Sequence, residues 1–514
     1  MAAKAGAFAM DSMRQDDMSP FPALTNEVDV GPEGPAQVAF FDLDRTLVQG
    51  YSVLPFLVEG VATGVLRPGR LLREAQAVLE SRRGGLGALL EQLIQSLRGE
   101  READLVALGE RVFNRHLAAR IHPEARALVR AHRRRGHRVV IVTSATRYQA
   151  EPVARALGIA AEDVLCTRLV VDEQGRFTGR WYLPGCWNEG KRILARAWLR
   201  RNGGGLADCW FYTDSHEDEP LLERVGRPRV VDPDARLLGL AGQHRWPVLR
   251  FRGLRPNAES LVRTGLSLTG FYGSALAGAG RLLRGGTVKE ALGEAVSTWG
   301  RIGLPLAGVG LRVTGQQYLE AARPAVVVFN HQSSLDALII ARLLRRDFTG
   351  LCKRELERDP LFGPAFRAAG AIFVDREGGG FGQLRPALDA LRSGQTLAIA
   401  PEGTRSRATM PGPFKRGAFY LAQRARVPLV PIVIHNAVDA LPRGSFMLRA
   451  GTTIEVEILP PIDPCHWRPR QLQEHADELR QRYLEVLGFA ALEDARFKQP
   501  EATVSPAETI LLAG

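Results

Sequence analysis

The sequence predicts an α/β protein of two domains, and three observations carry that expectation. First, short unbroken apolar runs end in polar residues: Val38-Ala39-Phe40-Phe41 runs into Asp42, Val139-Val140-Ile141-Val142 into Thr143, and Trp210-Phe211-Tyr212 into Thr213 and Asp214. Such runs suit parallel strands buried on both faces. Second, helical periods lie between them, as at Leu89, Leu90, Leu93, Ile94 and Leu97. Third, the pattern restarts beyond residue 310, where Val326-Val327-Val328-Phe329 leads into Asn330 and His331. A chain of 514 residues is too long for one hydrophobic core.

The elements are expected in this order. Residues 1–35, rich in Pro, Gly, Met and acids and without periodicity, read as a disordered leader with no secretory signal. Residues 36–250 form a Rossmann-like parallel-sheet domain with a long insert at about 52–122 of helical spacing, which the family resemblance given below implies is a helical cap. Between 250 and 310 Gly, Ala and Leu dominate and acids are sparse, which reads as a helical, membrane-associating linker. Its uncharged stretch Thr264–Gly280, flanked by Arg263 and Arg281, is shorter than the ~20 apolar residues of a span. A buried linker helix, an interfacial or re-entrant segment and a true span remain open there. Residues 311–490 form a second α/β domain, in which Ile454-Glu455-Val456-Glu457-Ile458 alternates as an edge strand does, and 491–514 a flexible tail.

Composition narrows the partners. The net charge of +12 favours anionic ones. Aromatics are only 7% and no basic helix interleaves with them, which argues against nucleic acid. Five cysteines, odd in number and without a CxxC, argue against a disulfide framework or zinc site and fit a reducing compartment.

In open parallel sheets ligands bind beyond the carboxyl ends of the strands, so Asp42, Thr143 and Asp214 converge on one rim. Asp42 can attack a phosphoryl group, and Asp44 can protonate the leaving oxygen and then activate water. Thr143, or Ser144 after it, can bond a phosphoryl oxygen, and Lys191 can neutralise the charge that develops there. Asp214 and Asp218 lie together on a helix start or tight loop and can join Asp42 and Asp44 in holding Mg²⁺. The four motifs in order (DLDRT, the strand ending at Thr143, Lys191, DSHED) resemble the haloacid dehalogenase superfamily, in its phosphoserine-phosphatase-like branch. The resemblance implies a Mg²⁺-dependent phosphomonoesterase working through an aspartyl-phosphate under a cap that closes on a small substrate, with phosphoserine as the branch's own substrate. Thr213 stands where that family commonly has glycine.

In the second half, Asn330-His331-Gln332-Ser333-Ser334-Leu335-Asp336 follows a strand. His331 can act as a general base, with Asp336 accepting its other N–H and Ser333 or Ser334 capping the helix. Pro401-Glu402-Gly403-Thr404-Arg405-Ser406 follows another strand, and a glycine beside an arginine lets backbone and guanidinium approach a phosphate. Arg376, Glu402, Gly403, Arg405 and Lys415 therefore form the expected substrate-binding set. NHQSSLD, the stretch from Lys353-Arg354-Glu355-Leu356 through IFVDR, PEGTRS and VPLVPI together resemble the glycerolipid acyltransferases, lysophosphatidate acyltransferases in particular. That implies transfer from acyl-CoA or acyl carrier protein to a lysophospholipid such as 1-acylglycerol-3-phosphate, giving phosphatidic acid, by an enzyme on an anionic membrane surface, peripheral or interfacially inserted at the cytoplasmic face. The competing expectation is an acyltransferase for glycerol-3-phosphate or another lysolipid with a regulatory, non-catalytic phosphatase-like domain.

Overall fold

The computed structural model describes residues 21–66, 86–251 and 258–490, apart from 359–362, 369, 376–380, 407–408, 443–444 and 446. The chain forms two compact units, the first ending at Leu254 and the second spanning Arg255–Ala490. The tail at 491–514 and part of the predicted cap lie outside the described residues.

The first unit opens with helix α1 (Phe21–Asp29), where the sequence reads as disordered leader. Thr25 and Val28 are buried on one side of it. Its acids meet basic partners: Arg229 Nε donates to Glu27 at 3.1 Å and Arg134 pairs with Asp29 at 3.2 Å. Composition obscured a helix only two turns long, whose order comes from these tertiary contacts rather than from propensity. Strand β1 (Val38–Phe41) leads to the cap helices α2 (Val53–Ala62), α3 (Leu86–Ser96) and α4 (Glu102–Val112). Helix α5 (Pro123–Arg134) returns the chain to β2 (Arg138–Thr146) and β3 (Val164–Thr167). A hairpin, β4 (Leu169–Val171) with β5 (Phe177–Trp181), precedes α6 (Glu189–Asn202) and the strands β6 (Cys209–Thr213), β7 (Arg227–Val231) and β8 (Val248–Leu249).

The sheet runs β3-β2-β1-β6-β7-β8, parallel throughout. Strands β1 and β6 are buried along their whole length, which is why they read as unbroken apolar runs. Strand order reverses between them, and a doubly wound sheet opens its ligand crevice at that place. The register sets Phe41 beside Tyr212, so Asp42 and Asp214 leave neighbouring strands at the same edge. Strand β2 runs three residues past Thr143, with its pairing to β3 shifting register between Val142 and Thr146.

The second unit begins with α7 (Ala258–Leu283) and α8 (Val288–Leu306). A capping box starts α8: Glu290 N–H donates to Thr287 Oγ1 and Thr287 N–H to the Glu290 carboxylate. On α7 the buried residues are small (Ser267, Gly270, Ser274 and Gly278), and a Cβ at Gly278 would stand 2.6 Å from Ala291 O of α8. No helix of the described residues is long and apolar enough to cross a membrane. The sheet comprises β9 (Gly310–Thr314), β10 (Val326–Phe329), β11 (Phe348–Lys353), β12 (Ile372–Val374), β13 (Thr396–Ile399), β14 (Leu429–Ile434) and β15 (Thr453–Ile458), in the order β12-β11-β13-β10-β14-β15-β9. Helix α9 (Asp336–Leu344) follows β10, and α10 (Gly417–Ala425) and α11 (Leu472–Val486) cover the sheet.

Two readings change here. Strand β15 is internal, antiparallel to β14 and parallel to β9; its alternation reports burial on one face, not an edge. Helix α8 packs on α9, with Gly303 so close to Leu338 that a Cβ would sit 3.0 Å from its methyls, so the segment read as a linker is part of the second unit.

Two candidate active sites

In the first unit, Asp42 follows β1 and its N–H donates to Tyr212 O at 2.9 Å. Lys191, buried near the start of α6, donates to Asp42 Oδ1 at 2.9 Å and to Asp218 Oδ2 at 2.8 Å. Its helix approaches closely because of Gly190, where a Cβ would lie 1.8 Å from Gly185 O. Thr213 donates to Asp218 at 2.5 Å, which gives the threonine in the glycine position a use. Arg45, quoted in the first motif without a role, pairs with Asp214 at 3.0 Å. Asp44 accepts from Ser52 N–H at 2.8 Å where the chain enters the cap. Thr143 turns inward and accepts from Ala145 N–H at 3.1 Å, whereas Ser144 lines the cavity above Asp42.

Burial pushes the Asp42 carboxyl up to about 8; Lys191 opposes this, and Asp218 and Asp214 add to it. Asp214 rises to about 7, again through burial, against the pull of Arg45. Burial also raises Asp44, which suits a group that must hold a proton to give away. Asp42, Asp44 and Asp214 are buried beside one ammonium and one guanidinium, so further positive charge would favour their ionised forms. A hard divalent cation supplies such charge, and Asp42, Asp214 and Asp218 have the oxygen ligands it prefers. These oxygens are not drawn into one tight cluster, since Lys191 stands between Asp42 and Asp218. Among the described residues only Glu219, Glu223 and His244 bring three such atoms within 4.8 Å of one another.

In the second unit, β10 delivers His331. Its Nδ1 lies 2.8 Å from Asp336 Oδ2, and that oxygen also accepts Gln332 N–H at 2.7 Å and Ser333 N–H at 2.9 Å. Asp336 is wholly buried while the imidazole is about a quarter exposed, leaving Nε2 as the nitrogen free for chemistry. The Asp336 carboxylate holds the turn before α9; Ser333 Oγ donates to Leu441 O and accepts Leu335 N–H at 3.3 Å at the helix start, while Ser334 Oγ accepts from Arg405. Asn330 exchanges two hydrogen bonds with Ile434, at 2.8 and 2.7 Å, and fixes the end of β10 against β14.

Glu402 serves the loop as well as any ligand. One carboxylate oxygen accepts His331 N–H and the other Gly412 N–H, each at 2.8 Å, and Ser406 N–H donates to His331 O at 2.8 Å. Burial raises the Glu402 carboxyl to about 7 despite these bonds. Gly403 takes a φ of +76° and lets Lys415 pass, since a Cβ there would meet Lys415 Nζ at 3.2 Å. Arg405 reaches Ser334 at 2.8 Å, beside the His331 loop. Arg376 lies outside the described residues. Reading motifs missed two supports on α11: Tyr483 Oη donates toward Val328 O (2.9 Å) and Ile432 O (3.1 Å), and Arg480 Nε donates to Gly412 O at 3.0 Å. No local signal marks residues that act from so far along the chain.

A family model for haloacid dehalogenase-like hydrolases matches residues 39–223, and one for acyltransferases matches residues 310–435. The chain is 33% identical over 227 residues to the inhibition of morphological differentiation protein of Streptomyces azureus, covering 42% of this chain and 79% of that one. It is 34% identical over 248 residues to the phosphoserine phosphatase SerB1 of Mycobacterium tuberculosis, covering 46% and 78%. It is 35% identical over 184 residues to the 1-acyl-sn-glycerol-3-phosphate acyltransferase alpha of Ovis aries, covering 35% of this chain and 64% of that protein. The chain belongs to the haloacid dehalogenase-like hydrolases through its first unit, and its second unit is an acyltransferase-family domain.

Proposed function

We propose that the second unit transfers an acyl chain from acyl-CoA or acyl carrier protein to 1-acylglycerol-3-phosphate, forming phosphatidic acid, and that the first is a Mg²⁺-dependent phosphomonoesterase. The observation that carries the acyl-transfer reading is the buried Asp336 carboxylate 2.8 Å from Nδ1 of the partly open His331. With Nδ1–H held by Asp336, Nε2 removes the proton from the acceptor hydroxyl as its oxygen attacks the thioester carbonyl. The carbon–sulfur bond breaks, and the thiolate leaves with the proton carried by the imidazolium. Arg405 and Lys415 answer the charge of the acceptor's phosphate.

In the phosphatase step Asp42 attacks phosphorus, the ester oxygen–phosphorus bond breaks, and Asp44 protonates the departing alkoxide. Asp44 then takes a proton from water, which attacks phosphorus and frees Asp42. Lys191 stays against Asp42 and offsets the developing negative charge. Mg²⁺, held by Asp42, Asp214 and Asp218, would supply charge neutralisation at the phosphoryl oxygens.

Exposed Leu261, Tyr272, Leu276 and Leu283 on α7, together with the basic charge of the chain, support work at an anionic membrane surface. Acceptor choice is tested by giving one labelled acyl-CoA to 1-acylglycerol-3-phosphate, glycerol-3-phosphate and lysophosphatidylcholine in mixed micelles. Preference for 1-acylglycerol-3-phosphate is expected; preference for either other acceptor would replace it.

A further inference from the structure

Above Asp42 lies a cavity of about 310 Å³ whose two ends differ in chemistry. Its floor is charged, formed by Asp42, Asp44, Lys191, Asp214 and Asp218. Its cap side is apolar: Val53, Phe56 and Leu57 come from α2, Leu66 from the turn after it, and Leu93 and Leu97 from α3 and its end. Among the described residues the cap sends no charged side chain into this space. Its buried acid, Glu59, is spent elsewhere on Arg115 at 2.5 Å and His116 at 3.4 Å. The other charged groups of the lining (Arg45, His216, Glu217 and Asp234) belong to the turns beside the floor. Arg45 is held by Asp214 at 3.0 Å, and His216 by Asp234 at 3.1 Å.

Of the polar side chains near the cap, Ser96 and Gln149 are already engaged. Ser96 Oγ donates to Leu93 O at 2.7 Å. Gln149 Oε1 accepts Thr146 N–H at 3.0 Å, and Gln149 Nε2 donates to Ser52 Oγ at 3.3 Å. A phosphorylated amino acid on Asp42 would therefore bring its ammonium and carboxylate against leucine and phenylalanine, where leaving them unpaired is costly. An alkyl or aryl group gains from the same wall.

We infer that the first unit hydrolyses phosphomonoesters of apolar alcohols, alkyl or aryl, and discriminates against phosphoserine. This rests on the phosphatase reading, and the experiment separates the two. Full-length protein with Mg²⁺ is given hexyl phosphate, L-phosphoserine and, as a control that needs only the floor, acetyl phosphate. Each rate is read above that of Asp42→Asn. The inference expects kcat/KM for hexyl phosphate to exceed that for phosphoserine by roughly tenfold or more, the usual worth of a few methylenes in an apolar pocket. Leu57→Arg, at a half-buried wall position, should narrow that ratio; if the variant does not fold, the wild-type ratio decides alone. Acetyl phosphate cleaved but phosphoserine preferred overturns the inference and leaves the phosphatase reading intact. None of the three cleaved above the Asp42→Asn background overturns both.

Discussion

Glu402 illustrates what one side chain does in this protein. Each carboxylate oxygen takes one backbone N–H, from His331 and from Gly412, so the residue ties the histidine loop to the turn beyond Arg405. Glutamine keeps only one good acceptor. Glu402→Gln should lower kcat for acyl transfer by about tenfold or more, with the phosphatase rate unchanged. The group also carries a pH signature. Its carboxyl is raised from 4.5 to about 7, so the folded protein holds this proton more tightly than the unfolded chain does. Its contribution to stability is full below about pH 4.5 and is lost as pH rises through about 7. The melting temperature of the wild type relative to the glutamine variant should therefore fall across that window, and a difference independent of pH would refute the link. The acids at strand ends were legible in the sequence because a buried strand is a continuous apolar run and its first polar residue marks the rim. The pair of hydrogen bonds that Glu402 accepts was not legible, since one comes from His331 on another strand's loop and the other from the return of a loop ten residues on.

Helix α11 supports the second site from far along the chain. From α11, Tyr483 steadies β10 beside the His331 loop and Arg480 holds the Gly412 turn that Glu402 grips. Arg480→Met should reduce acyl-transfer kcat by about three- to tenfold, by loosening that turn, and Tyr483→Phe should lower stability by about 1 kcal/mol. Full acyl-transfer activity in Arg480→Met, or an unchanged chemical-denaturation curve in Tyr483→Phe, would show that residue to be misassigned. On α7 the polarity is inverted: small residues face inward while Tyr272 and Leu276, 56% and 76% exposed, face out. Replacing both with glutamate should cut co-sedimentation with phosphatidylglycerol vesicles several-fold while leaving hydrolysis in solution unchanged. Equal sedimentation would place membrane contact elsewhere. At this scale local pattern misled twice, in the short α1 and in β15, because tertiary cover decided both and periodicity reports only which face is dry.

At the scale of the molecule the chain carries two chemistries on two sheets. Asp42 and Lys191 stand at the strand-order reversal of a parallel sheet, and His331 and Asp336 at the end of β10 in a mixed one. The order of motifs made both units legible in the sequence. The assignment of residues 258–306 was not, because a helix rich in small residues reads alike as linker or as packed hairpin until its partner is known. The constellations share no residue, so their chemistry should be separable by single substitutions. The most direct measurement follows both activities in one set of purified full-length proteins: wild type, His331→Ala and Asp42→Asn. Acyl transfer from labelled acyl-CoA to 1-acylglycerol-3-phosphate and Mg²⁺-dependent hydrolysis of acetyl phosphate are read side by side. His331→Ala should lose the first by about a thousandfold and keep the second, and Asp42→Asn should do the reverse. Loss of both activities in either folded variant, or acyl transfer that survives without His331, would contradict the assignment of two independent sites.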